Sequence, residues 1–446
     1  MQKLLRWFFP ILSLVIFGTL LWAMLLEWAP RSAQNFMSFA LGLLAYSMML
    51  TLILIAVRPK AIEHRVGLPE MYAVHGWIAM ILFAAVIVHF IIQWNGFGVI
   101  FAGEVSTVSL YGFIGAIFLV IVMLTGIFVL SNTFIKRSKI LMQRKEKSYN
   151  RNRQLWLHRL SILSIIAIYF HITSLGFLSS NTIFMVLFTS YTVLSLGWYF
   201  LYKLNILRLP KYEVNSIRKT TPTFYELELK PAHGNAMMDY KPGQYAFLRF
   251  VDSSVSRESH PFSLSSAPED TRETVQIMIK EAGDFTRTLG QVKAGDKVTL
   301  EGPYGNYFPH EAAVSDTPIV LLSGGIGVTP NLSILRHEMA QKSNRKIIFV
   351  WGLAHREDLM LVDQLDEWEK EFPNFSYHII FSNEEVSGYE KGFITRDYLA
   401  KIGVAELFQE ANFYICGPAP MIDAMKKVLA EERVSADQIY LEEFSF

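Results

Sequence analysis

The sequence predicts a multidomain membrane protein: a six-helix transmembrane bundle, then a β-barrel domain, then an α/β domain. Three observations carry this. Hydrophobic residues make up 52% of the 446 positions, yet they crowd into roughly the first 205. After Pro210 the pattern changes to short alternating strands bounded by turn residues, as in Phe224–Leu229 and Val275–Ile279. From 318 to 440, short apolar strands alternate with helical patterns. The expected boundaries are 1–205 for the bundle, 206–312 for the barrel and 313–446 for the α/β domain. Charges nearly cancel, at formal +1, so nothing points to nucleic acid.

Six apolar runs, roughly 7–27, 36–57, 71–93, 109–131, 155–176 and 182–202, approach the ~20 residues that cross a bilayer. Runs of that length are longer than a globular core requires. The first follows Lys3 and Arg6 as a signal peptide would, but no small-x-small cleavage site succeeds it, so it reads as a retained anchor. Arg58, Lys60 and Arg65 occupy one connection; Lys136, Arg137, Lys139, Arg144, Lys145, Lys147, Arg151 and Arg153 occupy another. The loops after spans three and five carry no Lys or Arg, and the one after span one has only Arg31. By the positive-inside rule the N-terminus, both basic loops and everything after Leu204 are cytoplasmic, as expected of a multi-pass protein of the plasma membrane. The basic loops serve as topology signals and could also dock a partner domain or anionic lipid.

Ionisable side chains inside spans are rare and usually functional. Span three carries His75 and His89, and span five carries His158 and His171. Fourteen residues rise about 21 Å along a helix, so the members of a pair stand near opposite edges of a hydrocarbon core ~30 Å thick. In the deduced topology His75 and His158 lie near the cytoplasmic edge, and His89 and His171 near the outer edge. Each cross-helix pair could clamp one haem iron, giving two stacked bis-histidine haems that pass single electrons through the membrane. Cys416 is the only cysteine and no Cys-x-x-Cys-His occurs, so haem would be held non-covalently, as haem b. The 13-residue step from His158 to His171 falls off the common helix face and calls for either a local distortion or different ring orientations.

The soluble half holds His260-Pro261-Phe262-Ser263, then Lys280 and Gly283-Asp284-Phe285-Thr286. Val320-Leu321-Leu322 precedes Ser323-Gly324-Gly325-Ile326-Gly327-Val328-Thr329-Pro330, a strand-to-helix turn of the kind that brings backbone N–H groups to a pyrophosphate. The strand–helix alternation around it supplies a nucleotide-fold context. Tyr414-Ile415-Cys416-Gly417-Pro418 closes a late strand, where such folds place ligand contacts.

On these motifs the soluble half resembles the ferredoxin–NADP reductase superfamily, and the whole chain resembles the ferric reductase and NADPH oxidase family. The resemblance implies that His260, Pro261, Phe262 and Ser263 line the flavin of FAD, and that Lys280, Gly283, Phe285 and Thr286 reach its phosphates. It implies that Gly324, Gly325, Gly327, Thr329 and Pro330 form the phosphate turn for NADPH or NADH, with Cys416, Gly417 and Pro418 beside the nicotinamide. The terminal Phe446 would stack on the flavin until nicotinamide displaces it. Electrons would pass from nicotinamide to FAD, to the His75/His158 haem, to the His89/His171 haem, and then to an outer acceptor, the flavin converting between a hydride donor and one-electron haems. Cys416 would shape the hydride pocket rather than act as a nucleophile.

Relatives that prefer NADPH grip its 2′-phosphate with a Ser-Arg pair. Here the matching place reads Ser382-Asn383-Glu384-Glu385, with Arg356 and Lys391 as possible substitutes, so use of both nucleotides with modest discrimination is expected. Arg31 resembles an arginine that NADPH oxidases hold near the outer haem, whereas Gln93 stands where they often carry a further histidine. The acceptor is therefore expected to be O2, giving superoxide. A ferric or other metal chelate, or an extracytoplasmic protein served by this chain as electron donor, are the alternatives. No EF-hand loop or long regulatory extension occurs, so constitutive activity without an obligate regulatory subunit, in a bacterial plasma membrane, is the expectation.

Overall fold

The computed structural model describes residues 6–29, 32–93, 106–130, 151–209, 211–252, 255–270, 273–313 and 315–443. The chain divides into two compact units, Met1–Leu207 and Arg208–Phe446. Arg31, Phe446 and the basic stretch 131–150 lie outside the described residues.

The first unit is helical: α1 (Phe8–Glu27), α2 (Ala33–Ala56), α3 (Leu68–Ile92), α4 (Thr107–Leu130), α5 (Arg151–His158), α6 (Ser161–Thr173) and α7 (Thr182–Leu207). Counting the α5–α6 stretch as one, six helices are long and apolar enough to cross a membrane. Local chemistry marks their ends. The Ser32 hydroxyl accepts from the Asn35 N–H at the start of α2, and α3 opens with Gly67 at φ +82° followed by Pro69. Where apolar faces meet apolar lipid, close packing and side-chain hydrogen bonds hold helices together. Gly115 lets α4 approach α6, where the Ser164 hydroxyl donates to the Gly115 carbonyl at 2.8 Å. Asn181 donates to the Ala23 carbonyl, and the Tyr46 and Thr192 hydroxyls bond at 2.9 Å, fastening α7 to α1 and α2.

The second unit contains two six-stranded sheets. The first is antiparallel, in the order β4 (His260–Ser263), β3 (Tyr245–Asp252), β6 (Lys297–Tyr304), β1 (Lys211–Lys219), β2 (Phe224–Pro231), β5 (Val275–Lys280). The expected barrel is only barrel-like. Its edges meet through a single bridge, Leu264 to Ile277, because β4 is four residues long and Pro261 has no N–H to donate. Inside it, Tyr212, Leu227, Leu248, Phe250, Ile277 and Val298 form a core with no exposed surface.

The second sheet is parallel throughout, in the order β10 (Glu390–Lys391), β9 (Phe375–Phe381), β8 (Ile347–Leu353), β7 (Ile319–Gly324), β11 (Asn412–Gly417), β12 (Ile439–Glu443). Strands β7 and β11 are buried along almost their whole length, which explains their unbroken apolar runs. Helices α8 (Val328–Ala340), α9 (Val362–Glu371) and α10 (Ala419–Glu431) connect them. Chain order runs outward from β7 through β8 to β10, then reverses to β11 and β12. The reversal between β7 and β11 is the place where such sheets open a ligand crevice beyond the carboxyl ends of their strands.

Candidate functional site

In the helical unit, His75 on α3 and His158 at the end of α5 face each other with ring centres 6.1 Å apart and planes inclined by 44°. His171 on α6 lies within electrostatic reach of His89 on α3. Of the two cross-helix pairs expected, His75 with His158 stands as a ring pair. Nδ1 of His89 is 2.8 Å from the Ser38 carbonyl, and Nδ1 of His171 is 2.8 Å from the Val108 carbonyl. A carbonyl only accepts, so both of these rings carry their proton on Nδ1 and keep the Nε2 lone pair for a metal.

Two imidazoles sharing one metal, with bonds of about 2 Å and about 1.1 Å from each nitrogen to its ring centre, would stand about 6.2 Å apart. The His75–His158 pair fits that spacing. Among the described residues no cluster of three or more His, Cys, Asp or Glu could hold a metal ion.

The irregular 13-residue step has a visible cause. On an ideal helix it leaves His171 about 140° from the face of His158. Between them the ladder tightens: Leu160 N–H bonds the Leu157 carbonyl at 3.0 Å and Ile162 N–H the Arg159 carbonyl at 3.1 Å. Three residues wound three per turn recover about 60°. The His171 ring also turns onto α4 at Val108.

In the second unit, the rings of His260 and Phe285 stack at 4.0 Å, with Phe262 beside them at 6.2 Å from Phe285. His260 Nε2 lies 3.1 Å from Glu258. Ser263 and Ser265, 3% and 0% exposed, each bury a hydroxyl with no hydrogen-bond partner among the described residues. Such orphans are what a bound polar group would satisfy; Ser263 ends β4 and Ser265 lies two residues beyond it. Thr286 folds its hydroxyl back to accept from the Ala282 and Gly283 N–H groups, shaping the adjoining turn. Lys280 pairs with the buried Asp358 at 3.1 Å, and Thr223 donates to the same carboxylate.

The glycine turn sits at the sheet reversal. A Cβ on Gly327 would lie 2.2 Å from the Cys416 carbonyl oxygen and 2.8 Å from the Gly417 nitrogen, and one on Gly324 2.5 Å from Met421 Sδ and 2.8 Å from Pro418. Gly324, Gly327, Cys416, Gly417 and Pro418 are thus brought together, which their sequence separation did not require. Gly325 has φ +53°, and its carbonyl accepts from the Trp351 indole at 2.9 Å. Thr329 is buried and donates to the Ile326 carbonyl; Pro330 is buried beside it. Asn331, which the motif reading passed over, bonds Ser323 and receives the Tyr307 hydroxyl, tying the turn to the first sheet's exit. Burial pushes the Cys416 thiol well above its usual range, with Glu442 adding to the effect, so it stays protonated at neutral pH. Ser382 follows β9, its N–H bonded to the Leu353 carbonyl at 2.9 Å. Nearby, the Arg356 N–H donates to Glu384 and Lys391 pairs with Glu385, so both acids are engaged locally.

Comparison with known proteins agrees with this division. Residues 226–307 match the model of an FAD-binding domain, and residues 321–427 match that of the oxidoreductase NAD-binding domain. The chain is 32% identical over 242 residues to the reductase component of propane 2-monooxygenase from Mycolicibacterium goodii, covering 52% of this chain and 67% of that protein. It is 28% identical to a flavohemoprotein of Rhizobium meliloti over 48% of this chain and 55% of the relative. Among solved structures, the flavohem-like FAD/NAD-binding domain of nitric oxide dioxygenase from Vibrio cholerae is similar at 24% identity and a TM-score of 0.46, over 53% of this chain and 98% of that one. Through its C-terminal half the chain belongs to the ferredoxin–NADP reductase-type oxidoreductases, flavoproteins with an FAD-binding and an NAD-binding domain.

Proposed function

We propose that this protein carries electrons from cytosolic NAD(P)H through FAD and two b-type haems to an acceptor on the outer face of the plasma membrane, with O2 as acceptor and superoxide as product. The observation that carries the reading is the His75–His158 pair, 6.1 Å apart between helices long and apolar enough to cross a bilayer. It is coupled in one chain to an FAD- and NAD-binding reductase module. His75 with His158, and His89 with His171, would hold the two haems, which would supply one-electron exchange.

The chain's own residues do the remaining work. The Ser38 and Val108 carbonyls hold ligand protons away from the metal-facing nitrogens. The Gly324–Gly327 turn and Cys416–Pro418 place the nucleotide at the sheet reversal, with Cys416 as a neutral wall. Ser263 and Ser265 offer hydroxyls to the flavin. Residues 6 to 207 would lie in and beside the membrane, with both termini cytoplasmic.

One observation favours another acceptor. Gln93, which donates one of its two amide hydrogens to the Ser38 hydroxyl at 2.6 Å beside His89, stands where the oxidases often carry a further histidine. A metal chelate is therefore the second reading. NADPH-driven cytochrome c reduction in air, with and without superoxide dismutase, separates the two. Strong inhibition is expected. Insensitivity, with rapid ferric-chelate reduction under nitrogen, would replace O2 by the chelate.

A further inference from the structure

Two of the four histidines meet their neighbouring helix in the same way. His89 bonds the Ser38 carbonyl and His171 that of Val108. Four residues beyond each acceptor stands a glycine, Gly42 and Gly112. A Cβ there would lie 3.4 Å from His89 Cε1 and 2.9 Å from His171 Nδ1. In a helix the carbonyl of residue i accepts from the N–H of i+4 but keeps a second lone pair. The side chain of i+4 stands beside that lone pair, which is why Ser and Thr at this position bond back to it. Glycine leaves it open to a neighbour.

We propose that Gly42 and Gly112 are positioning residues for the haem ligands. Each uncovers the carbonyl one turn earlier, and a histidine from the adjoining helix docks its Nδ1–H there. Docking fixes tautomer and ring plane and directs Nε2 to the metal. The inference deepens the haem reading and rests on it. At the outer pair the device is extended by one link, since Gln93 holds the Ser38 hydroxyl, itself 3.2 Å from His89 Nδ1. Other helical glycines do not share the role: a Cβ on Gly18 or Gly197 meets nothing within 4 Å.

The test is Gly→Ala at positions 42 and 112 in the full chain, with Gly18→Ala and Gly197→Ala as controls. Haem content per flavin and the low-spin ferric EPR signals are read, and NADH-to-dye reduction reports folding of the reductase half. Clearance sets the expected order. Gly112→Ala should weaken haem retention by about 10–100-fold, the usual cost of losing a ligand's hydrogen-bond partner. Gly42→Ala should lose less. Should Gly112→Ala lose the bundle itself, Gly42→Ala carries the test. Wild-type haem content and EPR in Gly42→Ala, or equal losses in the controls, would overturn the proposal. His89→Leu and His171→Leu distinguish the two levels: full haem in both would instead remove the ligand assignment beneath it.

Discussion

Gly327→Ala tests how tightly the nucleotide crevice is built. The added methyl carbon would sit 2.2 Å from the Cys416 oxygen, 2.5 Å from its carbonyl carbon and 2.8 Å from the Gly417 nitrogen. All three are backbone atoms of β11, hydrogen-bonded between β7 and β12, so none can swing aside as a side chain would. Real Cβ contacts essentially never fall below 3.0 Å, so either the turn or the end of β11 must move by at least 3.0 − 2.2 = 0.8 Å. Overpacking of this kind costs about 1–3 kcal/mol of stability. A displacement near 1 Å at a site that aligns reacting groups costs about 100-fold in rate. NADH-to-dye kcat/KM in the folded variant should therefore fall about 100-fold. Gly325→Ala is the contrast: with φ +53° and open space around its Cβ position, it should cost only the left-handed backbone penalty of roughly 1–2 kcal/mol. Gly325→Asn should recover part of that. Wild-type kcat/KM in Gly327→Ala would refute the placement of the nucleotide at this turn.

Three further outcomes are expected. Because burial raises the Cys416 thiol, its thiolate fraction is below that of a free cysteine at every pH; alkylation should stay slow from pH 7 to 9 in native protein and accelerate in urea. Fast native labelling with retained activity would contradict the pocket. Arg345 and Glu338 form an ion pair only 3% and 2% exposed, and Arg345 also donates to the Ala312 carbonyl, so Arg345→Met should lose about 3–5 kcal/mol in chemical denaturation of the soluble half. A loss under 1 kcal/mol would show that the pair is not needed. Asn383→Arg, supplying the cation absent after Ser382, should raise the NADPH-to-NADH ratio of kcat/KM by about tenfold, the equivalent of one charge-assisted hydrogen bond. An unchanged ratio would move the 2′-phosphate position away from this turn.

Much of the architecture was legible because its causes are local. Bilayer-length apolar runs carry their own length signal, and four histidines within two of them stand out against lipid-facing neighbours. Gly324 to Gly327 was legible as a turn, but not the reason for Gly327, which lies in the backbone of Cys416, about 90 residues later. The tightened turn after His158 could not be read from Arg159 and Leu160, whose side chains carry no helix-breaking signal. Gly112 is visible in the sequence but meaningful only once α4 and α6 are side by side. The open sheet edge turned on one proline in a four-residue strand. Asp358 had no motif at all: its role comes from Lys280 and Thr223, which reach it only through the fold.

Sidedness is the most direct test of transmembrane electron transfer. The protein is reconstituted into sealed vesicles with its reductase half facing outward, cytochrome c trapped inside and NADPH added outside. Reduction of the trapped cytochrome c, lost in His89→Leu while external dye reduction continues, is the expected result. Reduction confined to external acceptors, with intact haem and sealed vesicles, would contradict a path through the membrane.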